Sequence, residues 1–83
     1  MLEMPAFDVL DVPEFRPIVD GARMSGLEVC GPREGYFHIS RDGEIVMSRK
    51  ALGLKYPIWF GALTGGLEGR IAQFDRDTLK LVD

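Results

Sequence analysis

The sequence predicts an all-β domain: a small antiparallel sheet of about five to six strands, open or partly closed into a barrel, with at most one short helical turn near 48–53. Three observations carry this. Turn signals recur about every dozen residues. No long window keeps the 3.6-residue spacing of apolar positions that a helix face requires. Gly61 and Gly69 fall inside strand-like runs, where small barrels bend or let backbones approach closely.

Eighty-three residues, 46% hydrophobic and 28% charged, suit one domain. Residues 1–17 read as an extended acidic arm or edge strand, because Pro5, Pro13 and Pro17 each bias the preceding residue to extended geometry and withhold a ladder donor. The β domain proper is 18–83. Within it, "FRPIVDGARMS" suggests a hairpin turning at Asp20-Gly21. "YFHISRDGEIVMS" suggests a second, over 36–40 and 44–48, with Gly43 at positive φ and Ile39 facing Ile45. That register puts Phe37, Ile39, Ile45 and Met47 on one face and His38, Ser40 and Glu44 on the other. In "SRKALG", Ser48 is placed to cap one helical turn and Gly53 to end it.

The last third reads as a meander of strands 58–64, 67–74 and 78–82, turning at Gly65-Gly66 and at "DRDT". "TGGLEG" is a turn rather than a phosphate loop, since neither a following helix nor a Lys-Ser/Thr pair completes a phosphate cradle. Both faces of this meander are apolar: Ile58, Phe60, Ala62, Leu67 and Ile71 on one, Trp59, Leu63, Ala72 and Phe74 on the other. A sheet with one wet face alternates instead. The meander is therefore covered on both sides, by the rest of the chain or by another subunit, and a homo-oligomer is expected, joined through this sheet surface or the N-terminal arm, with Trp59 and Phe74 in the subunit interface.

Composition narrows the chemistry. Cys30 is the only cysteine and His38 the only histidine, so no disulfide forms within the chain and no metal-ligand spacing is present; neither metal nor cofactor is expected. Cys30 reads as a small buried hydrophobe rather than an activated thiolate. The formal charge is −3, with residues 1–20 at −4 (Glu3, Asp8, Asp11, Glu14 and Asp20 against Arg16) and the remainder at +1. Asp8, Asp11 and Glu14 read as a solvated acidic arm. Acidic chains are poor default nucleic-acid binders. With no basic leader ahead of an apolar run, and no apolar stretch near the ~18 residues of a membrane span, a cytoplasmic protein is expected.

The main candidate site is Arg49, Lys50 and Lys55 beside Tyr56 and Trp59, since cations next to aromatic faces bind phosphates, bases or acidic peptides. A solvated loop with Trp59 in the core is the plainer interpretation of the same residues. "HISRDG" resembles the Asp/Asn-x-Ser-x-x-Gly motif of the cyclic-dinucleotide-binding PilZ domains: Ser40 and Gly43 match, while His38 stands in the first place. The family's closely spaced upstream arginines have no counterpart, Arg16 and Arg23 lying too far apart.

Three functions follow, in descending order. The first is a non-catalytic binding or assembly module, homo-oligomeric, with a protein or small anionic partner. The second is a nucleotide- or nucleic-acid-binding small barrel. The third is a small enzyme using His38, which a deep pocket holding His38 with a carboxylate would favour.

Overall fold

The computed structural model describes residues 4–83 and contains seven strands in two antiparallel sheets. Strands β1 (Ala6–Leu10), β2 (Glu28–Arg33), β3 (Tyr36–Ser40) and the two-residue β5 (Leu67–Glu68) form one, in the order β2-β3-β1-β5. Strands β4 (Ile45–Ser48), β6 (Arg70–Phe74) and β7 (Thr78–Val82) form the other, in the order β4-β7-β6. Neither order returns to its first strand, so the sheets stay open. A 3-10 turn at Pro13–Phe15 leads into α1 (Arg16–Met24), and two short helices, α2 (Arg49–Leu52) and α3 (Tyr56–Phe60), lie between β4 and β5.

One core joins these pieces. Strand alternation sends Phe7, Val9, Phe37 and Ile39 inward from the first sheet and Ile45, Met47, Leu79 and Leu81 inward from the second. Ile18, Val19 and Ala22 of α1 and the indole of Trp59 complete the same cluster.

The segment read as an arm holds an interior strand. β1 pairs with β3 on one side and β5 on the other, and Pro13 and Pro17 open helical turns rather than prolong an extended chain. Residues 1–3 of that arm, Glu3 among them, lie outside the described residues. Nor is there a hairpin at Asp20-Gly21. Phe15, Ile18, Val19 and Ala22 follow the i, i+3, i+4, i+7 spacing of a helix face, and Pro17 sits in the first turn, where its missing N–H costs nothing. Gly21 provides room instead of a turn: a Cβ there would run into the side chain of Leu52 on α2.

Strands 36–40 and 45–48 form with the expected buried face, but not as a hairpin. β3 pairs with β1 and β2, whereas β4 pairs with β7. Gly43 has the expected positive φ, +110°, yet it carries the chain from one sheet to the other. Gly69, at φ +95°, does the same between β5 and β6. The observed hairpins are β2–β3, through the primed turn Glu34-Gly35 (φ 53° and 85°), and β6–β7, through the expected turn at 75–78. In that second turn the Asp75 carboxylate accepts the backbone N–H of Asp77 (2.9 Å) and Thr78 (2.8 Å) and the side-chain amide of Gln73 (2.8 Å).

The helical turn at 49–52 matches the sequence in both caps: Ser48 Oγ accepts from Ala51 N at 3.3 Å, and Gly53 is left-handed at φ 71°. The strand expected over 58–64 is absent. Pro57 opens α3, and turns closed by Thr64 N to Gly61 O (3.2 Å) and Gly66 N to Leu63 O (3.1 Å) follow it. Gly65-Gly66 thus ends a helical segment, and Leu67 pairs with Phe7 of β1. The two-faced apolar meander does not exist.

Two predictions follow from these sites. Gly43→Ala meets no atom within 4 Å and suffers backbone strain alone, about 1–2 kcal/mol. Gly69→Ala adds a collision with the Val82 carbonyl, so urea unfolding should show a larger loss, about 2–4 kcal/mol. The Gln73 amide, then the Asp77 and Thr78 N–H groups, lower the pKa of Asp75 from 3.8. Its stabilisation is therefore complete above the unfolded-state value and lost as pH falls through the lower folded one. Thermal midpoints measured below pH 4 should fall less steeply for Asp75→Asn than for the parent.

Candidate functional site

The basic–aromatic stretch predicted as a site is largely consumed by the fold. Arg49 Nε donates to the Arg76 carbonyl (2.6 Å), Nη1 to the Leu54 carbonyl (2.9 Å) and Nη2 to the Asp77 carboxylate (3.3 Å). Its guanidinium also lies 4.2 Å from the Tyr56 ring centroid, with Arg76 at 5.1 Å from the same ring. Arg49 is thus a clamp between α2 and the β6–β7 turn. Trp59 is 1% exposed, donates Nε1–H to the Asp75 carbonyl at 2.7 Å, and meets Phe74 edge-on at 5.7 Å. It is a core residue, unavailable to a ligand or to a second subunit. Of the predicted set, Lys50, Lys55 and Tyr56 remain exposed, and Phe74 is half-buried under Phe60.

A different site comes together on the outer face of the first sheet. Because Phe7, Val9, Phe37 and Ile39 point inward, Asp8 and His38 point outward, and the register sets them directly opposite each other. His38 Nδ1–H donates to Asp8 Oδ1 at 2.8 Å. On the other side of His38, its partner in β2 is Cys30. Asp8, His38 and Cys30 therefore form one cross-strand row over three strands.

The row depends on a bulge. Arg33 pairs with Tyr36, so regular pairing would put Gly31 opposite His38; one extra residue in β2 puts Cys30 there. An open groove of about 820 Å³ runs over the row, walled by the segment Gly31–Glu34, by Tyr36 and by Gly65. Gly65 is close enough that a Cβ would strike the Asp8 carbonyl and the Tyr36 ring. Gly65, the first of the glycine pair read as a turn, thus forms part of a wall.

Cys30 is exposed, contrary to its expected burial. Glu44, expected on the face of His38, instead meets Lys80 at 3.5 Å. Ser40 is buried and Gly43 lies in the crossing loop, while Arg16 and Arg23, two turns apart on α1, both approach the Phe37 ring (5.3 and 5.9 Å). Among the described residues, no group of three His, Cys, Asp or Glu side chains is placed to hold a metal ion, and no helix is long and apolar enough to cross a membrane. Comparison with protein-family models and with curated proteins returns no match, so the PilZ resemblance remains a likeness of six residues.

Arg49→Ala should destabilise the domain by about 1–2 kcal/mol, since it leaves the part-buried Leu54 carbonyl without its charged donor and removes the exposed bonds to Arg76 and Asp77. Trp59→Ala should cost about 3–5 kcal/mol, a large share of the stability of so short a chain. Chemical unfolding checks both, and an Arg49 variant as stable as the parent would contradict the clamp.

Proposed function

We propose that this chain is a small binding module whose ligand lies in the groove over Asp8, His38 and Cys30. The observation that carries the proposal is the cross-strand row on the floor of an open groove. Its volume, about 820 Å³, falls within the range of small-molecule sites. Asp8, Glu34 and the free Nε2 of His38 offer acceptors, Arg33 offers donors, and Tyr36 with Pro32 offers flat apolar surface. This mixture suits a flat, polar small molecule with donors and acceptors along one edge. The single exposed thiol fits the reducing environment of the cytoplasm.

His38 and Cys30 each occur once, so their resonances report on the groove without ambiguity. Titration with nucleosides, mononucleotides and free amino acids should move the signals of His38, Cys30 and Tyr36 together. His38→Ala should weaken binding by about tenfold while changing stability by no more than about 0.5 kcal/mol, as for a half-exposed side chain. Shifts centred on Lys50, Lys55 and Tyr56 would instead favour an anion site there. No shift at the groove with any of these probes would end the proposal.

Self-association has its own support. Phe60 is 50% exposed and lies against Phe74, and Ile71 on the free edge of β6 is 48% exposed. Burying such a patch against a second copy contributes about 25 cal/mol per Å². Phe60→Glu, which leaves the core intact, should dissociate the assembly in sedimentation. A parent chain that sediments only at 9.3 kDa at micromolar concentration would exclude it.

A further inference from the structure

We propose that Cys30 is a nucleophile with His38 as its proton acceptor and Asp8 as the residue that positions His38, and that the groove accepts acyl groups from thioesters or activated esters. The proposal rests on the groove being the binding site and adds the class of ligand. Two independent features support it. The first is the bulge in β2, which replaces Gly31 by Cys30 opposite His38; directly opposed residues share a face, with Cβ atoms about 4.5–5.5 Å apart. The second is the 2.8 Å bond to Asp8. An ionised carboxylate only accepts, so the proton of that bond sits on Nδ1, and in the neutral ring Nε2 carries the lone pair. A histidine fixed in this tautomer by a carboxylate, with an exposed thiol as its partner in the neighbouring strand, has the order of roles seen in nucleophile–base–orienter sites.

The chemistry balances without a further reagent. Nε2 takes the proton from Cys30 Sγ as the sulfur electron pair forms a bond to the carbonyl carbon. The tetrahedral adduct collapses and expels a thiolate or alkoxide, which takes the proton from Nε2. Water then attacks the S-acyl group, His38 passes the water's proton to the departing sulfur, and a carboxylic acid leaves. Thioesters and activated esters suit this site because their leaving groups depart before being protonated, so one proton carrier is enough.

S-phenyl thioacetate is the probe, and intact-mass spectrometry counts the acetyl group gained, with Cys30→Ser as the blank. The parent should be acetylated at least about tenfold faster than His38→Gln, with Asp8→Asn in between. Added imidazole should restore the rate in His38→Ala and leave the parent little changed, an effect that loss of a merely structural side chain does not produce. Ring ¹⁵N shifts should show Nδ1 protonated in the neutral parent and a changed tautomer mixture in Asp8→Asn. The His38 and Asp8 side chains are 45% and 40% exposed, so both variants should keep the parent's amide spectrum. Equal acetylation rates in the parent and His38→Gln, or an equal response of all proteins to imidazole, would overturn the proposal. Absence of ligand-induced shifts in the groove would count against the binding reading alone, because acetylation is measured without that ligand.

Discussion

Everything on the outer face of the first sheet follows from what its inner face must bury. Phe7, Val9, Phe37 and Ile39 pack against Ile45, Met47, Leu79 and Leu81, and this is the interaction that gives so short a chain a continuous core. With a side-chain period of two, their burial turns Asp8 and His38 to solvent. The second sheet, α1 and Trp59 cover the inner face. Among the described residues, nothing comparable covers the part of the outer face above Asp8 and His38, and a groove lies there.

The same constraint explains how the chain is routed. A single hairpin sheet would leave one apolar face open, so the chain changes sheet three times: at Gly43, back through α2 and α3, and again at Gly69, the two glycines turning sharply at positive φ. Turn chemistry at Gly43 was legible in the sequence, and so was the buried face of the strands on either side. The pairing was not, because a local turn signal is silent about which strand edges the rest of the core leaves open. Ser48 and Gly53 were legible for the opposite reason: a cap acts over three or four residues, and its partners lie within the segment.

Both hidden helices had misleading punctuation. In α1, Pro17 and the Asp20-Gly21 pair mimic turn signals while Phe15, Ile18, Val19 and Ala22 carry the helical period. In α3, Tyr56, Ile58, Trp59 and Phe60 favour strands by type, but Pro57 starts a helix and the burial of Trp59 holds it. The candidate site was legible only in part. His38 stood out because it is unique, and Asp8 read only as a solvated carboxylate of an acidic arm; their pairing across 30 residues, and the bulge that brings Cys30 opposite His38, are properties of the register. Conversely, Arg49 and Trp59 had the composition of a binding site, but the hydrogen bonds that occupy them come from the distant β6–β7 turn.

The central claim is that β3 lies between β1 and β2, so that His38 faces Asp8 on one side and Cys30 on the other. Backbone-to-backbone nuclear Overhauser contacts in an isotope-labelled sample test it most directly. The account predicts cross-strand contacts from residue 38 to residues 8 and 30, together with contacts from 45–48 to 78–81. Backbone contacts pairing residue 39 with residue 45, with none between 38 and 30, would contradict it.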